Sequence, residues 1–281
     1  MDNYKFSVSI CVYGGDNAEY FDTAMESIFN QTLPPDEVVL VVDGPVGEGI
    51  SAVIDKYKNT YESLKVIQLE KNVGHGNARR IGMDACSYEI IALMDADDIS
   101  VENRFEKQIE VFKQKENISI VGGLIKEFIN ETNNVVGMRD VPQEDADIKQ
   151  YMKKRCPMNQ VTVMFKKSDV QCVGGYIDWY CEEDYYLWLR LALADKSFYN
   201  IQENLVYVRV GEEMYQRRGG VKYFKSEAKL QKYMLDNKLI GIPRYLINVT
   251  ERLILQVLMP NKLRGWVFKV FARERGDVAN G

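Results

Sequence analysis

The sequence predicts an α/β fold: a mostly parallel central sheet, helices on its faces, and a helical C-terminal tail. Two observations carry that prediction. Short β-type runs alternate with helical patterns through the first hundred residues, the spacing of right-handed βαβ units. One of those runs, residues 38–42 (VVLVV), is wholly apolar and β-branched, as expected of a strand covered on both faces. Ligands of such sheets sit beyond the carboxyl ends of the strands, so the residues at strand ends form the functional map.

The elements follow in order. Residues 6–12 (FSVSICV) predict a first strand ending in Tyr13-Gly14-Gly15. Residues 18–30 place Phe21, Ala24, Met25, Ile28 and Phe29 at helical spacing. The VVLVV strand ends in Asp43-Gly44. A helix near 49–57, a strand over 64–69 running into Lys71-Asn72-Val73-Gly74, and a helix near 77–85 come next. The strand over 89–94 ends in Asp95-Ala96-Asp97-Asp98. Beyond residue 100 the pattern changes to a charged amphipathic helix near 101–115, β-like segments over 118–128 and 135–139, and a strand over 161–165. A strong helix over 184–194 puts Leu187, Trp188, Leu191 and Ala194 on one face; another covers 221–236, and two amphipathic stretches close the chain. With no repeat, low-complexity run or clear linker, the expectation is one domain over 1–238 and a tail over 239–281.

Composition excludes several classes. The 281 residues are 46% hydrophobic and 27% charged, an ordinary globular balance. A net charge of −5 argues against a nucleic-acid partner, which needs a basic footprint. The charge is uneven: residues 240–275 carry seven basic side chains against Glu251 and Glu274. The five cysteines are scattered and form no CxxC pair, so they read as reduced thiols, Cys11 among them as a small hydrophobe. The expected location is cytoplasmic, because no signal peptide is evident and no apolar stretch nears the ~20 residues that span a bilayer.

Two acidic clusters stand out. Asp95-Ala96-Asp97-Asp98 puts three carboxylates at a strand end, which is costly without a compensating cation. Asp95 and Asp97 are expected on one side of an extended chain, and hard oxygen ligands suit Mg²⁺ or Mn²⁺ held with substrate phosphates. The plain alternative is a solvated turn. An EF-hand fails, since its fifth position would be Ile99 and its glycine position is Ser100. Glu182-Glu183-Asp184 opens the helix bearing Trp188 and Arg190. One acid there is commonly a cap favoured by the helix dipole. Three exceed a cap's needs, and their repulsion raises at least one toward a general base.

Together these features make the chain resemble the family 2 glycosyltransferases of bacterial polysaccharide assembly, over about residues 5–220. The family's first strand and its tyrosine are matched by Ile10-Cys11-Val12-Tyr13, and a Gln-Thr pair by Gln31-Thr32. Val41-Val42-Asp43-Gly44 stands for Val-Asp-Asp-Gly, and Asn72-Val73-Gly74 with Ala78-Arg79 for the Asn-x-Gly segment. Asp95-Ala96-Asp97 stands for the DxD motif, Gly174-Gly175-Tyr176 for the Gly-Gly-Tyr loop, and residues 183–190 (EDYYLWLR) for the Glu-Asp motif. Four positions depart: Cys11 replaces proline, Gly14 asparagine, Val42 the first aspartate of its motif, and Arg80 an asparagine.

The resemblance implies a GT-A fold, with a nucleotide-binding half to about residue 98 and an acceptor half from 99. It implies an inverting transfer of a sugar from a nucleotide diphosphate donor, UDP-linked, to a hydroxyl of a lipid-linked oligosaccharide. Tyr13 would stack near the base, Asp43 accept a hydrogen bond from it, and Arg79 steady the nucleotide. Asp95 would meet ribose or metal, Asp97 ligate Mn²⁺ or Mg²⁺, and Asp184 act as general base, with Gly175, Tyr176 and Glu183 lining the pocket. Arg217-Arg218 would be either a solvated turn or a loop pairing with the diphosphate. His75 reads as a surface residue, and Gly74-x-Gly76 is no dinucleotide fingerprint. The basic tail would either pack on the domain or lie on an anionic membrane. Two competing functions remain at this level. A nucleotide-sugar pyrophosphorylase would need a longer phosphate loop than Tyr13-Gly14-Gly15-Asp16. An inactive binding module sits poorly with intact Asp97 and Asp184.

Overall fold

The computed structural model describes residues 4–211 and 219–259. Its first half is the expected βαβ series: β1 (Phe6–Tyr13), α1 (Ala18–Phe29), β2 (Glu37–Asp43), α2 (Glu48–Thr60), β3 (Leu64–Gln68), α3 (His75–Ala85) and β4 (Ile90–Asp95). The four strands are parallel and ordered β3-β2-β1-β4. Helix α1 starts where Asn17 accepts from the backbone N–H groups of Glu19 (2.8 Å) and Tyr20 (3.1 Å), a cap worth about 1 kcal/mol. Its expected stripe, Phe21 to Phe29, is buried. Because side chains alternate along a strand, one strand feeds two cores. Val38, Leu40 and Val42 enter the layer under α1 and α2, while Val39 enters the opposite layer. Register sets the site: Tyr13 lies beside Asp43, and Cys11 beside Asp95, so the three strand ends converge.

The second half comprises β5 (Ile99–Ser100), α4 (Arg104–Gln114), β6 (Ile120–Phe128), β7 (Val135–Arg139), α5 (Asp145–Tyr151), β8 (Met164–Lys166), α6 (Lys167–Cys172), α7 (Glu183–Leu193) and β9 (Phe198–Arg209). The nine-stranded sheet continues from β4 as β8-β6-β9-β5, with β7 also on β6. Strand β8 is antiparallel to β4 and β6, β9 is parallel to β6, and β5 and β7 are antiparallel to their partners. The sheet remains mostly parallel by paired residues, but this half is mixed.

Three features depart from the sequence expectation. The strand expected over 161–165 is a 3₁₀ turn, Gln160–Thr162, followed by β8. Helices α5 and α6 are too short to show a period. Strand β9 went unpredicted because its polar centre breaks the alternation: Gly123 pairs with Ile201 and the next residue, Leu124, with Asn204, so Gln202 and Glu203 bulge out.

Arg104 is fully buried at the seam of the two halves. Its Nη2 donates to Leu93 O (2.8 Å) and its Nε to Gln108 Oε1 (3.0 Å); Gln108 in turn donates to Val121 O (3.0 Å) and Thr162 O (2.8 Å). The described chain closes with α8 (Val221–Asp236) and α9 (Ile242–Leu253), the latter running into a π-helical turn, Ile254–Leu258. These two helices pack as a hairpin, and Leu230, Met234 and Ile240 enter the core around Trp188. Among the described residues no helix is long and apolar enough to cross a membrane. Arg217, Arg218 and the tail beyond residue 259 lie outside the described residues.

Candidate active site

The first cluster lies at the end of β4. Asp95 ends the strand, and Ala96 and Asp97 form a turn, not the extended chain expected from the DxD spacing. The carboxylates still crowd one another. Asp97 is raised to about 6 by burial, then by the charges of Asp95 and Asp16. Asp98 is buried and raised well above the ordinary carboxylate range by burial, Asp97 and Asp95, although Arg209 N donates to its Oδ1 (2.8 Å). Burial would raise Asp95 too, but the ion pair with Arg79 outweighs it and holds Asp95 low. Arg104, behind the loop, adds positive charge; burial pulls its own pKa down to about 9, against the pull of Asp95 and Asp98.

Arg209, the last residue of β9, fixes the outer side of this loop. Its guanidinium lies over the rings of Tyr20 (3.8 Å) and Phe128 (4.6 Å), and it donates to the carbonyls of Asp97 (Nε, 3.2 Å) and Asn130 (Nη1, 2.9 Å). Sequence reading missed Arg209 and Asp16. Asp16 sits in the β1 end loop, where its carboxylate accepts from Tyr13 N (2.9 Å), and no motif marked it.

The second cluster opens α7. Asp184 is raised to about 6, first by burial and then by Glu183, while Tyr185 N, donating to Oδ1 (2.6 Å), and the charges of Arg139 and Arg79 work the other way. Its Oδ2 lies 4.0 Å from Cys156 Sγ. Burial would raise Glu183 as well, but the hydrogen bond with His75, a backbone N–H and the charge of Arg79 together hold it below its ordinary value. Glu182 is buried and raised well above its usual range by burial and the charge of Glu227. The loop before α7 bends at Gly174 and Gly175, both at positive φ, and Arg190 ties it by donating to the carbonyls of Val173 (2.6 Å) and Gly175 (2.7 Å).

Helix α3 joins the clusters. Arg79 Nε donates to His75 Nε2 (3.0 Å) while its Nη2 pairs with Asp95, and His75 Nδ1 lies 3.2 Å from Glu183 Oε1. Accepting at Nε2 places the ring proton on Nδ1, aimed at Glu183. His75 is therefore exposed, as expected, yet bridges the two acid runs. Arg79 and Tyr176 are both buried, at 3% and 2% exposure, and Arg79 is paired with Asp95. Tyr13 is 47% exposed beside Asp43, whose Oδ1 accepts from Val73 N (2.7 Å). Gly14 replaces the family's asparagine because a Cβ there would stand 2.7 Å from the Pro45 carbonyl oxygen.

Among the described residues no three His, Cys, Asp or Glu side chains converge as a closed metal cage. Excess negative charge at Asp97, on a turn that supplies one or two carboxylates, fits a cation whose other ligands are phosphate oxygens and water.

A doubly covered, mostly parallel α/β sheet with an acidic turn at a strand end has the architecture of a GT-A fold. The family model described as glycosyl transferase family 2 matches residues 7–174. The chain belongs to that family and is an enzyme. It is 34% identical over 272 residues to the UDP-Gal:alpha-D-GlcNAc-diphosphoundecaprenol beta-1,3-galactosyltransferase of Escherichia coli, covering 97% of this chain and 98% of that one. It is also 34% identical to the amylovoran biosynthesis glycosyltransferase AmsE of Erwinia amylovora, covering 94% and 98%. Among solved structures, S. aureus TarS in complex with UDP-GlcNAc superposes with a TM-score of 0.65 at 19% identity, covering 89% of this chain and 72% of that chain. At that identity the likeness shows the fold.

Proposed function

We propose that the chain transfers a sugar from a UDP-linked donor to a hydroxyl of a lipid-linked, diphosphate-bound saccharide in the synthesis of cell-surface polysaccharide, with inversion. One observation carries this reading: two carboxylates raised to about 6, Asp97 and Asp184, belong to clusters that α3 ties together. Exposed Tyr13 offers a face for the nucleobase, and Asp43 at its side a hydrogen-bond acceptor. Asp97, with Asp95 beside it, would hold Mn²⁺ or Mg²⁺ together with oxygens of the donor. When bound, such a cation would supply positive charge to offset the negative charge developing on the departing diphosphate. Arg79 keeps Asp95 ionised and in place. Asp184 removes the acceptor's proton as the hydroxyl attacks the anomeric carbon, and no second acid is needed because the diphosphate leaves unprotonated. The name of the E. coli relative supports the donor and acceptor classes, and that of the E. amylovora relative a biosynthetic glycosyltransferase.

The test is a donor screen with purified protein, added Mn²⁺ or Mg²⁺, and a synthetic diphosphate-lipid saccharide, following release of nucleoside diphosphate. UDP release that requires both cation and acceptor is expected, and NMR of the product should show the opposite anomeric configuration. Retention of configuration would refute the single displacement.

A further inference from the structure

Helix α9 and the turn that extends it are built inside out. Ile242, Leu246, Ile247, Leu253, Ile254 and Leu258 are 64, 56, 47, 37, 46 and 67% exposed. At about 100° per residue all six fall on one side of the helix. Asn248, Arg252 and Gln256 turn inward, while Thr250 and Glu251 stay exposed. Buried Asn248 donates to Gln231 Oε1 (2.7 Å) and Lys153 O (2.9 Å). Arg252 Nε lies 2.7 Å from Glu227 Oε2, and its Nη2 donates to Lys154 O (3.0 Å). Gln256 Nε2 donates to the same Glu227 oxygen (2.6 Å). A helix washed by water on its outer side has the reverse arrangement, and a continuous apolar stripe left outward marks a contact surface.

Charge identifies the contact. Residues 219–259 hold seven Lys and Arg against three acids, in a chain whose net charge is −5. The turn that receives Asn248 and Arg252 adds Lys153, Lys154 and Arg155. The chain then continues through residues 260–281 with five more basic side chains against two acids, interleaved with Trp266, Phe268 and Phe271. A second copy would bring this basic surface against itself, which like-charge repulsion opposes. We infer that the outward face of α9 and its extension seats on an anionic lipid surface, its apolar side chains entering the headgroup boundary while the surrounding lysines and arginines meet lipid charge. The same hairpin ties to the loop that precedes the base: Ser226 Oγ donates to Tyr180 O (2.6 Å), and the charge of Glu227 acts on Glu182. This inference stands on the helix and not on the identity of donor or acceptor.

The experiment uses the full chain and sedimenting vesicles of phosphatidylcholine, with or without phosphatidylglycerol. Binding to the anionic vesicles, released by salt, is expected. The double variant Leu246→Asp, Ile254→Asp should partition about tenfold more weakly or worse, with an unchanged thermal melt and unchanged UDP binding. If that variant fails to fold, Leu246→Ser with Ile254→Ser reads the same loss at smaller size. Wild-type protein that stays in solution with anionic vesicles overturns the inference. So does a wild-type dimer by light scattering that the variant breaks while vesicle binding is unaltered, since the face would then belong to a second copy.

Discussion

The runs at 95–98 and 182–184 each hold three carboxylates, and their ionisation follows a common pattern. In each, one acid is kept low despite burial: Asp95 by Arg79, Glu183 chiefly by His75. In each, one is raised to about 6, Asp97 and Asp184, and one is buried and raised much further, Asp98 and Glu182. The setting differs. The first run turns at a strand end, where Asp16 adds further negative charge. The second starts a helix, where Tyr185 N and the charges of Arg139 and Arg79 oppose burial around Asp184. Surplus charge in an open turn suits a cation; a single poised carboxylate at a helix start suits a proton. On the proposed function, similar composition would be sorted into two tasks by backbone setting.

Three experiments would break or sharpen that division. Asp184→Asn should have the largest effect, a loss of about 10²–10⁴-fold in turnover with donor affinity nearly unchanged, because the amide keeps the shape but cannot take the proton. Equal losses in turnover and donor binding would erase the difference between the runs. Asp97→Ala should instead weaken cation-dependent binding of UDP, measured by calorimetry, by about 10–100-fold or more, a range that even the outer partners of a metal can command. Wild-type UDP affinity independent of cation would remove the cation from the first run.

The smallest effect concerns pH. A base must be deprotonated to work, so turnover should fall about tenfold per pH unit below the Asp184 value of about 6 and level off above it. Glu183→Gln removes an anionic neighbour that raises Asp184, so the acidic limb should move to lower pH while turnover at neutral pH drops less than in Asp184→Asn. A limb that stays in place would show that burial alone sets the value.

Much of the first half was legible because its information is local. An apolar β-branched run announces a buried parallel strand, and Asp43 and Asp95 announce strand ends. Both acidic runs were visible as sequence. What lay hidden depends on distant pairing. Nothing near residues 198–209 reports that β9 lies parallel to β6, some eighty residues earlier, or that Gln202 and Glu203 bulge from it. The inward turn of Arg79 is invisible because its partners, Asp95 and His75, are fixed only by folding. The hairpin hid for a different reason: its period was plain, but which side faces the protein is decided by Glu227, Gln231 and the turn at 153–154.

Arg209 has a consequence for how such enzymes can be recombined. A boundary drawn near residue 98 invites donor specificity to be exchanged by grafting the first hundred residues of one relative onto the remainder of another. Yet the carbonyl of Asp97 and the carboxylate of Asp98 are anchored by residue 209, whose guanidinium is held between Tyr20 on one side of that boundary and Phe128 on the other. A graft that is to keep the geometry of the 97–98 loop must therefore carry position 209 and both aromatic neighbours as a matched set, drawn from three separate stretches of the chain instead of one cassette.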